Sequence, residues 1–136
     1  KLILTLFLSI MAVSIRAQNY EWAKNIGTPN IDIAYSIATD ASGNVYTTGS
    51  FDGTADFDPG QGTANLISFG LQDIFLAKYD NNGNYNWAEY FGEDGENLGY
   101  DISVKSDDVF TTGYFYEIQD APPYGKDSGD IFIRKE

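Results

Sequence analysis

The densest run of potential ligands in the chain is Asp52-Gly-Thr-Ala-Asp56-Phe-Asp58-Pro-Gly60. Asp52, Asp56 and Asp58 place three carboxylates within seven residues, on a stretch rich in glycine and proline. Carboxylates so spaced can gather around a hard cation. Calcium takes about six to eight oxygens, and Thr54 with backbone carbonyls can supply the remainder. The spacing is not that of an EF-hand loop and lacks its closing glutamate. A solvated acidic turn is the alternative reading, and both stand at this point. Asp56 with Asp58 is also the obvious carboxylate pair for glycoside hydrolysis. A second acidic run, Glu93-Asp-Gly-Glu96, reads as a solvated loop. Other catalytic chemistry has little to work with. The chain has no histidine and no cysteine, which removes the commonest general base and the thiol nucleophile. It contains no glycine-rich phosphate loop, zinc ligand set or nucleophile elbow.

Aromatic residues are the other candidates. Trp22 and Trp87 can stack on sugars, but they stand 65 residues apart within matching surroundings, which reads as packing. The same holds for Tyr35 and Tyr100. Tyr114, Tyr116 and Tyr124 flank a divergent stretch and are better surface candidates.

The elements that position these residues follow from an internal repeat. Trp22-Ala23, Gly27, Tyr35 and Ile37 recur 65 residues later as Trp87-Ala88, Gly92, Tyr100 and Ile102. Val45-Tyr-Thr-Thr-Gly-Ser-Phe51 recurs as Val109-Phe-Thr-Thr-Gly-Tyr-Phe115, and Asp73-Ile-Phe-Leu-Ala-Lys78 as Asp130-Ile-Phe-Ile-Arg-Lys135, with offsets of 64 and 57. A fixed order of matches at such a period marks one supersecondary unit copied along the chain.

Each copy reads as short strands. Tyr35–Thr39 alternates apolar and polar residues, Asp40–Asn44 is turn-forming, and Val45–Phe51 is β-branched and aromatic. A hairpin follows from that order. Asp73–Tyr79 is a third strand, Asp80–Asn84 an Asn/Gly turn and Tyr85–Phe91 a fourth strand. Tyr20–Ile26 matches the fourth strand and is expected to be a strand too. No segment sustains a helical period. The expected fold is all-β, with four antiparallel strands per unit as in a β-propeller blade. Ile74-Phe75-Leu76-Ala77 is apolar at consecutive positions, so both faces of that strand should be covered. Gly49 and Gly113 occupy equal places in their strands and predict a bulge or a close backbone approach.

The strings Trp22-Ala-Lys-Asn-Ile-Gly27, Asp32, Tyr35–Phe51, Gly53-Thr-Ala-Asp-Phe-Asp-Pro-Gly60 and Asp73–Tyr79 together resemble the bacterial β-propeller repeat family SBBP. The similarity covers nearly all of residues 20–136. The second copy departs from the pattern, with Asp107-Asp108 in place of the Gly-Asn turn and Tyr116–Gly129 in place of the Asp-Phe-Asp-Pro-Gly loop. The resemblance implies a secreted or surface-displayed bacterial protein of many blades, with no catalytic residues to carry over. Closure takes about 4–8 blades. Two copies, the second incomplete, therefore read as an N-terminal segment of a larger propeller whose downstream blades belong to the same polypeptide.

The division expected is residues 1–17 as a signal peptide, 18–86 as the first repeat with its preceding strand, and 87–136 as the second repeat. Lys1 leads an uncharged apolar run, Leu2–Val13, and Ala17 is a small residue at its exit. These are the parts of a secretory signal, with cleavage after Ala17. The run is shorter than the roughly 20 residues a membrane span needs, and an uncleaved anchor is the rival reading. The chain's net charge is −12, and −14 once Lys1 and Arg16 are removed. Such a surface excludes nucleic acid as partner. The function expected is an extracellular or cell-surface, non-enzymatic scaffold for adhesion to proteins or glycans, with calcium as the one conceivable cofactor. The alternative is an extracellular polysaccharide-active enzyme using its loop carboxylates.

Overall fold

The computed structural model describes residues 21–92, 94–106, 108–117 and 128–135. Residues 1–20, which include the segment expected to be a signal peptide, together with Glu93, Asp107, Tyr124 and the side chain of Tyr116, lie outside them. No helix occurs among the described residues, and the chain is all-β.

Four strands form the first sheet: β1 (Ile33–Thr39), β2 (Val45–Phe51), β5 (Asp73–Tyr79) and β6 (Tyr85–Phe91), antiparallel and in that order. A small hairpin, β3 (Thr54–Asp56) with β4 (Asn65–Ile67), is inserted between β2 and β5. Three strands form the second sheet, β7 (Leu98–Lys105), β8 (Asp108–Glu117) and β9 (Ser128–Lys135). The sheets do not close a barrel. The repeat as read in sequence begins at Trp87, inside β6, so period and sheet are out of phase by one strand.

The two Asp-x-x-Gly-Asn turns are built alike. Asp40 Oδ1 accepts from the amides of Ser42 and Asn44, and Asp80 Oδ1 from those of Asn82 and Asn84. Gly43 and Gly83 take φ of 80° and 76°, the left-handed region where a side chain is strained. The β7–β8 turn has no glycine, and Ser106 takes φ 58° instead.

Both inner hairpins carry a bulge at the same place. Register shifts between Ala34 and Ser36 opposite Gly49, and between Gly99 and Asp101 opposite Gly113. The extra residue is a tyrosine in each, Tyr35 or Tyr100. A side-chain carbon at Gly49 would overlap the Ile33 carbonyl. The expected glycine role is therefore met at the bulge. The hydroxyls of Thr47 and Thr111 donate to the carbonyls of Ser36 and Asp101, at 3.1 and 2.9 Å, the same bond in both sheets.

Strand β5 is covered on both faces, as its run of apolar residues requires. One face meets the second sheet: Tyr46 and Leu76 pack with Ile102 and Val109, flanked by Trp87 and Phe91. The other is covered by the chain's own insertion, where Ala55 and Phe57 close over Phe51, Phe75, Ala77 and Tyr79. The second cover comes from within the unit, which the strand pattern alone does not specify.

One expected strand is absent. Residues 21–28 are not in a sheet. The fourth place of the first sheet is already filled by β6, and the segment crosses the β5–β6 turn instead. Trp22 Nε1 donates to the Asn81 carbonyl at 3.1 Å, and its ring lies against Gly83. Trp22 and Trp87 thus have different surroundings despite matching positions.

Candidate functional site

The acidic loop is a folded turn. Asp56 Oδ1 accepts from the amides of Asp58 and Ala64, at 3.0 and 2.8 Å. Asp58 Oδ1 accepts from the Gly60 amide at 2.8 Å. At Asp52 the recorded bond is to its backbone carbonyl, from Asn30 Nδ2 at 3.4 Å. Among the described residues no three or more acidic or imidazole groups are gathered as for a metal ion. The loop's apolar members point inward: Phe57 meets Phe51 edge-to-face, and its carbonyl accepts from the buried Tyr79 hydroxyl at 3.0 Å. Burial, then Tyr85 and the carboxylates of Asp58 and Asp56, push the Tyr79 hydroxyl well above the usual phenol range. Tyr79 therefore stays protonated and donates.

The seam between the sheets is where repeated residues meet. Tyr35 and Tyr100 stand edge-to-face with ring centroids 5.5 Å apart, half exposed on the edge strands β1 and β7. They pack as expected, yet remain open to solvent. Beside them Ser36 Oγ donates to Asp101 Oδ1 at 2.7 Å, which holds the Asp101 carboxyl below its ordinary range, helped by the Ile102 amide. Deeper in the seam Asp73 is fully buried. Its Oδ2 accepts from the Phe69 amide at 2.7 Å and its Oδ1 from Asn97 Nδ2 at 3.3 Å. Burial outweighs both bonds and raises the Asp73 carboxyl. A carbon at Gly92 would overlap that carboxylate, so glycine there makes room for it.

Two surfaces among the described residues are open to a ligand. An apolar cavity of about 280 Å³ opens beside the insertion on the face of the first sheet that the insertion partly covers, lined in part by Trp22, Ile26, Asp32, Ile37, Val45 and Phe57. A stripe of Ile67, Phe69 and Leu71 stands out from the insertion. Neither was singled out from the sequence. The alternation from Asn65 to Leu71 was the available signal for the stripe, but it lies on a segment without a counterpart in the second copy.

Residues 21–58 match the beta-propeller repeat SBBP. The matched segment is a β-propeller repeat. It takes in β1, β2, β3 and the acidic turn as far as Asp58. The match fits the antiparallel β-structure of that segment. The WD repeat-containing protein L264 of Acanthamoeba polyphaga mimivirus is 27% identical to the chain over 109 residues. That similarity covers 69% of this chain and 8% of the viral protein, so the chain spans a small part of that relative's length. No described helix is long and apolar enough to cross a membrane.

Proposed function

We propose that the chain is a non-enzymatic binding scaffold acting outside the cell, and that a protein partner docks on the β3–β4 insertion. The observation that carries this reading is the stripe Ile67, Phe69 and Leu71, exposed at 60%, 64% and 61% on every second position. Single exposed apolar residues need no explanation, but three large ones exposed within five positions favour a contact surface. An aromatic between two aliphatic residues suits the core of an interface. The base of the stripe is fixed: the amides of Leu71 and Gln72 donate to the Gly95 carbonyl at 3.3 and 3.4 Å. The chain's net charge of −12 favours a partner with a basic rim. Propeller repeats here and WD repeats in the viral relative both fit a scaffold for protein interaction. Export rests on Lys1–Ala17, a charged start with a short apolar core.

Two measurements test the proposal. Exported from a bacterium, the protein should begin at Gln18, and retention of Lys1 would defeat the cleavage part. Offered cell-surface proteins and a panel of extracellular glycans, the chain should bind without breaking bonds. Phe69→Ser should weaken protein binding by about tenfold or more. Release of reducing ends from a glycan would put the polysaccharide-active enzyme in its place.

A further inference from the structure

The two strand bulges deliver their extra residues to one place. Tyr35 in β1 and Tyr100 in β7 are each the residue that the ladder skips. A bulge re-aims a side chain, and bulges recur beside binding sites for that reason. Here the two rings form a corner. Their planes stand 86° apart with centroids 5.5 Å apart, and the two tyrosines remain 42% and 49% exposed. Tyr46 shows the contrast: it also meets an aromatic partner edge-to-face, Trp87, and is 3% exposed. The corner is therefore ordered and still open to solvent.

A carboxylate stands beside the rings. Ser36 and Asp101 follow the two tyrosines in the chain, and Ser36 Oγ donates to Asp101 Oδ1 at 2.7 Å, so this contact runs next to the ring contact. The Ile102 amide donates to the same oxygen at 2.9 Å. Asp101 Oδ2 takes part in neither bond, and the Tyr35 and Tyr100 hydroxyls bond to nothing among the described residues. The two donors hold the Asp101 carboxyl below its ordinary range, so it is charged near neutral pH. The corner offers two ring faces, a fixed negative charge and an oxygen left over.

The charge selects the ligand. The face of an aromatic ring is the negative side of its quadrupole, and the carboxylate is negative too. An anion is repelled by both, and a neutral ligand gains nothing from the carboxylate's charge. A cation gains from both. A guanidinium uses them together, because its plane stacks on a ring while its edge donates N–H bonds to an oxygen. An ammonium is a compact point charge that holds its water more strongly. The basic rim favoured by a chain of net charge −12 would supply such groups.

We propose that the corner of Tyr35, Tyr100 and Asp101 is a binding site for an arginine side chain of a protein partner, with the guanidinium stacked on a tyrosine ring and bonded to Asp101 Oδ2. Ser36 is a positioning residue, whose hydroxyl engages Oδ1 and leaves Oδ2 to the ligand. The site shares no residue with the β3–β4 insertion, so failure here and failure of the docking surface there are separate results.

The probe is Nα-acetyl-arginine amide, titrated into the full chain at low salt and followed by the ring-proton signals of Tyr35 and Tyr100. Both should move to saturation with a dissociation constant on the order of millimolar, as suits one side chain. The citrulline analogue keeps the shape and loses the charge, and should bind about fivefold more weakly or worse. Asp101→Asn should weaken the arginine probe by about threefold or more. Its amide oxygen can still accept from Ser36 and Ile102, so the seam is kept. Tyr100→Leu should weaken it by a similar factor, with circular dichroism as the check on folding. Tyr90, 46% exposed and outside the corner, is the internal control. Saturable shifts confined to the corner and lost in Asp101→Asn carry the proposal. It is overturned by an absent shift, by equal shifts at Tyr90, by equal binding of the citrulline analogue or by an unchanged affinity in Asp101→Asn. It is also overturned if methyl glycosides move the two tyrosines and the arginine probe does not, since the corner would then be a sugar-stacking surface.

Discussion

At the scale of single residues, carboxylates in this chain do structural work by accepting backbone amides. Asp40 is held below its ordinary range chiefly by the Asn44 side chain, and Asp80 chiefly by the Asn84 amide. Asp101 is lowered in the same sense. Such groups contribute stability above the ordinary carboxylate value, near 4, and lose it as pH falls through their lowered values. Asp73 is raised and acts oppositely, since its contribution is present in acid and lost as pH rises through its folded value. Three against one, the melting temperature should hold from pH 7 to about 5 and fall below about 4. Asp40→Asn should flatten that fall in a melting series across pH. Asp56 serves two amides at once, so Asp56→Ala should cost about 1–3 kcal/mol in urea unfolding. Calcium, to bind here, would have to use the carboxylate oxygens those amides leave over. About millimolar calcium would then raise the melting temperature, and Asp58→Asn would lose the rise. Superimposed curves in calcium and in chelator would leave the three carboxylates as turn-formers. The acidic run was legible in sequence because composition exposes it. Its bonding was not, because the acceptors' amides lie up to eight residues away across the insertion.

At the scale of elements, β1, β2, β5 and β6 were legible because alternation, β-branched residues and the Asp-x-x-Gly-Asn turns agree there. Gly49 is the plainest case: its place in a β-branched run pointed to a bulge, and the bulge is there. Gly49→Ala would drive a methyl into the Ile33 carbonyl, which is backbone and has little room to give. The substitution should cost about 1–3 kcal/mol or more, read from the urea midpoint. Tyr20–Ile26 misled because pattern matching assigns a strand without asking whether a sheet edge awaits it. The Trp22 indole found the Asn81 carbonyl instead. The insertion was harder still. Its inward residues Ala55 and Phe57 belong to a segment with one copy, so repetition gave no second sample of it.

At the scale of the whole molecule, the seam joins two sheets through Leu76, which packs with Ile102 and Val109. Leu76→Ala should therefore cost about 2–5 kcal/mol in chemical unfolding. Ile67→Ala, on the exposed stripe, should stay within about 0.5 kcal/mol of wild type. Equal effects would mean that the sheets do not depend on each other. The repeat made the seam's partners predictable in kind, since Tyr35 meets Tyr100 and Ser36 meets Asp101. It did not reveal which positions break the symmetry. Asn97 and Gly99 stand where the first copy has Asp32 and Ala34, and their use is seen only in the contacts to Asp73 and Thr48.

The bond from Asn97 to Asp73 also bears on the order of assembly. Tandem units of similar sequence are prone to pair with the wrong neighbour as they fold. On a chain emerging from the ribosome, Asp73 is in place before Asn97 arrives. The first sheet can then wait with its acceptor facing outward, and the donor that completes it belongs to the next unit made. Order along the polypeptide is in this way matched to the chemistry of that join.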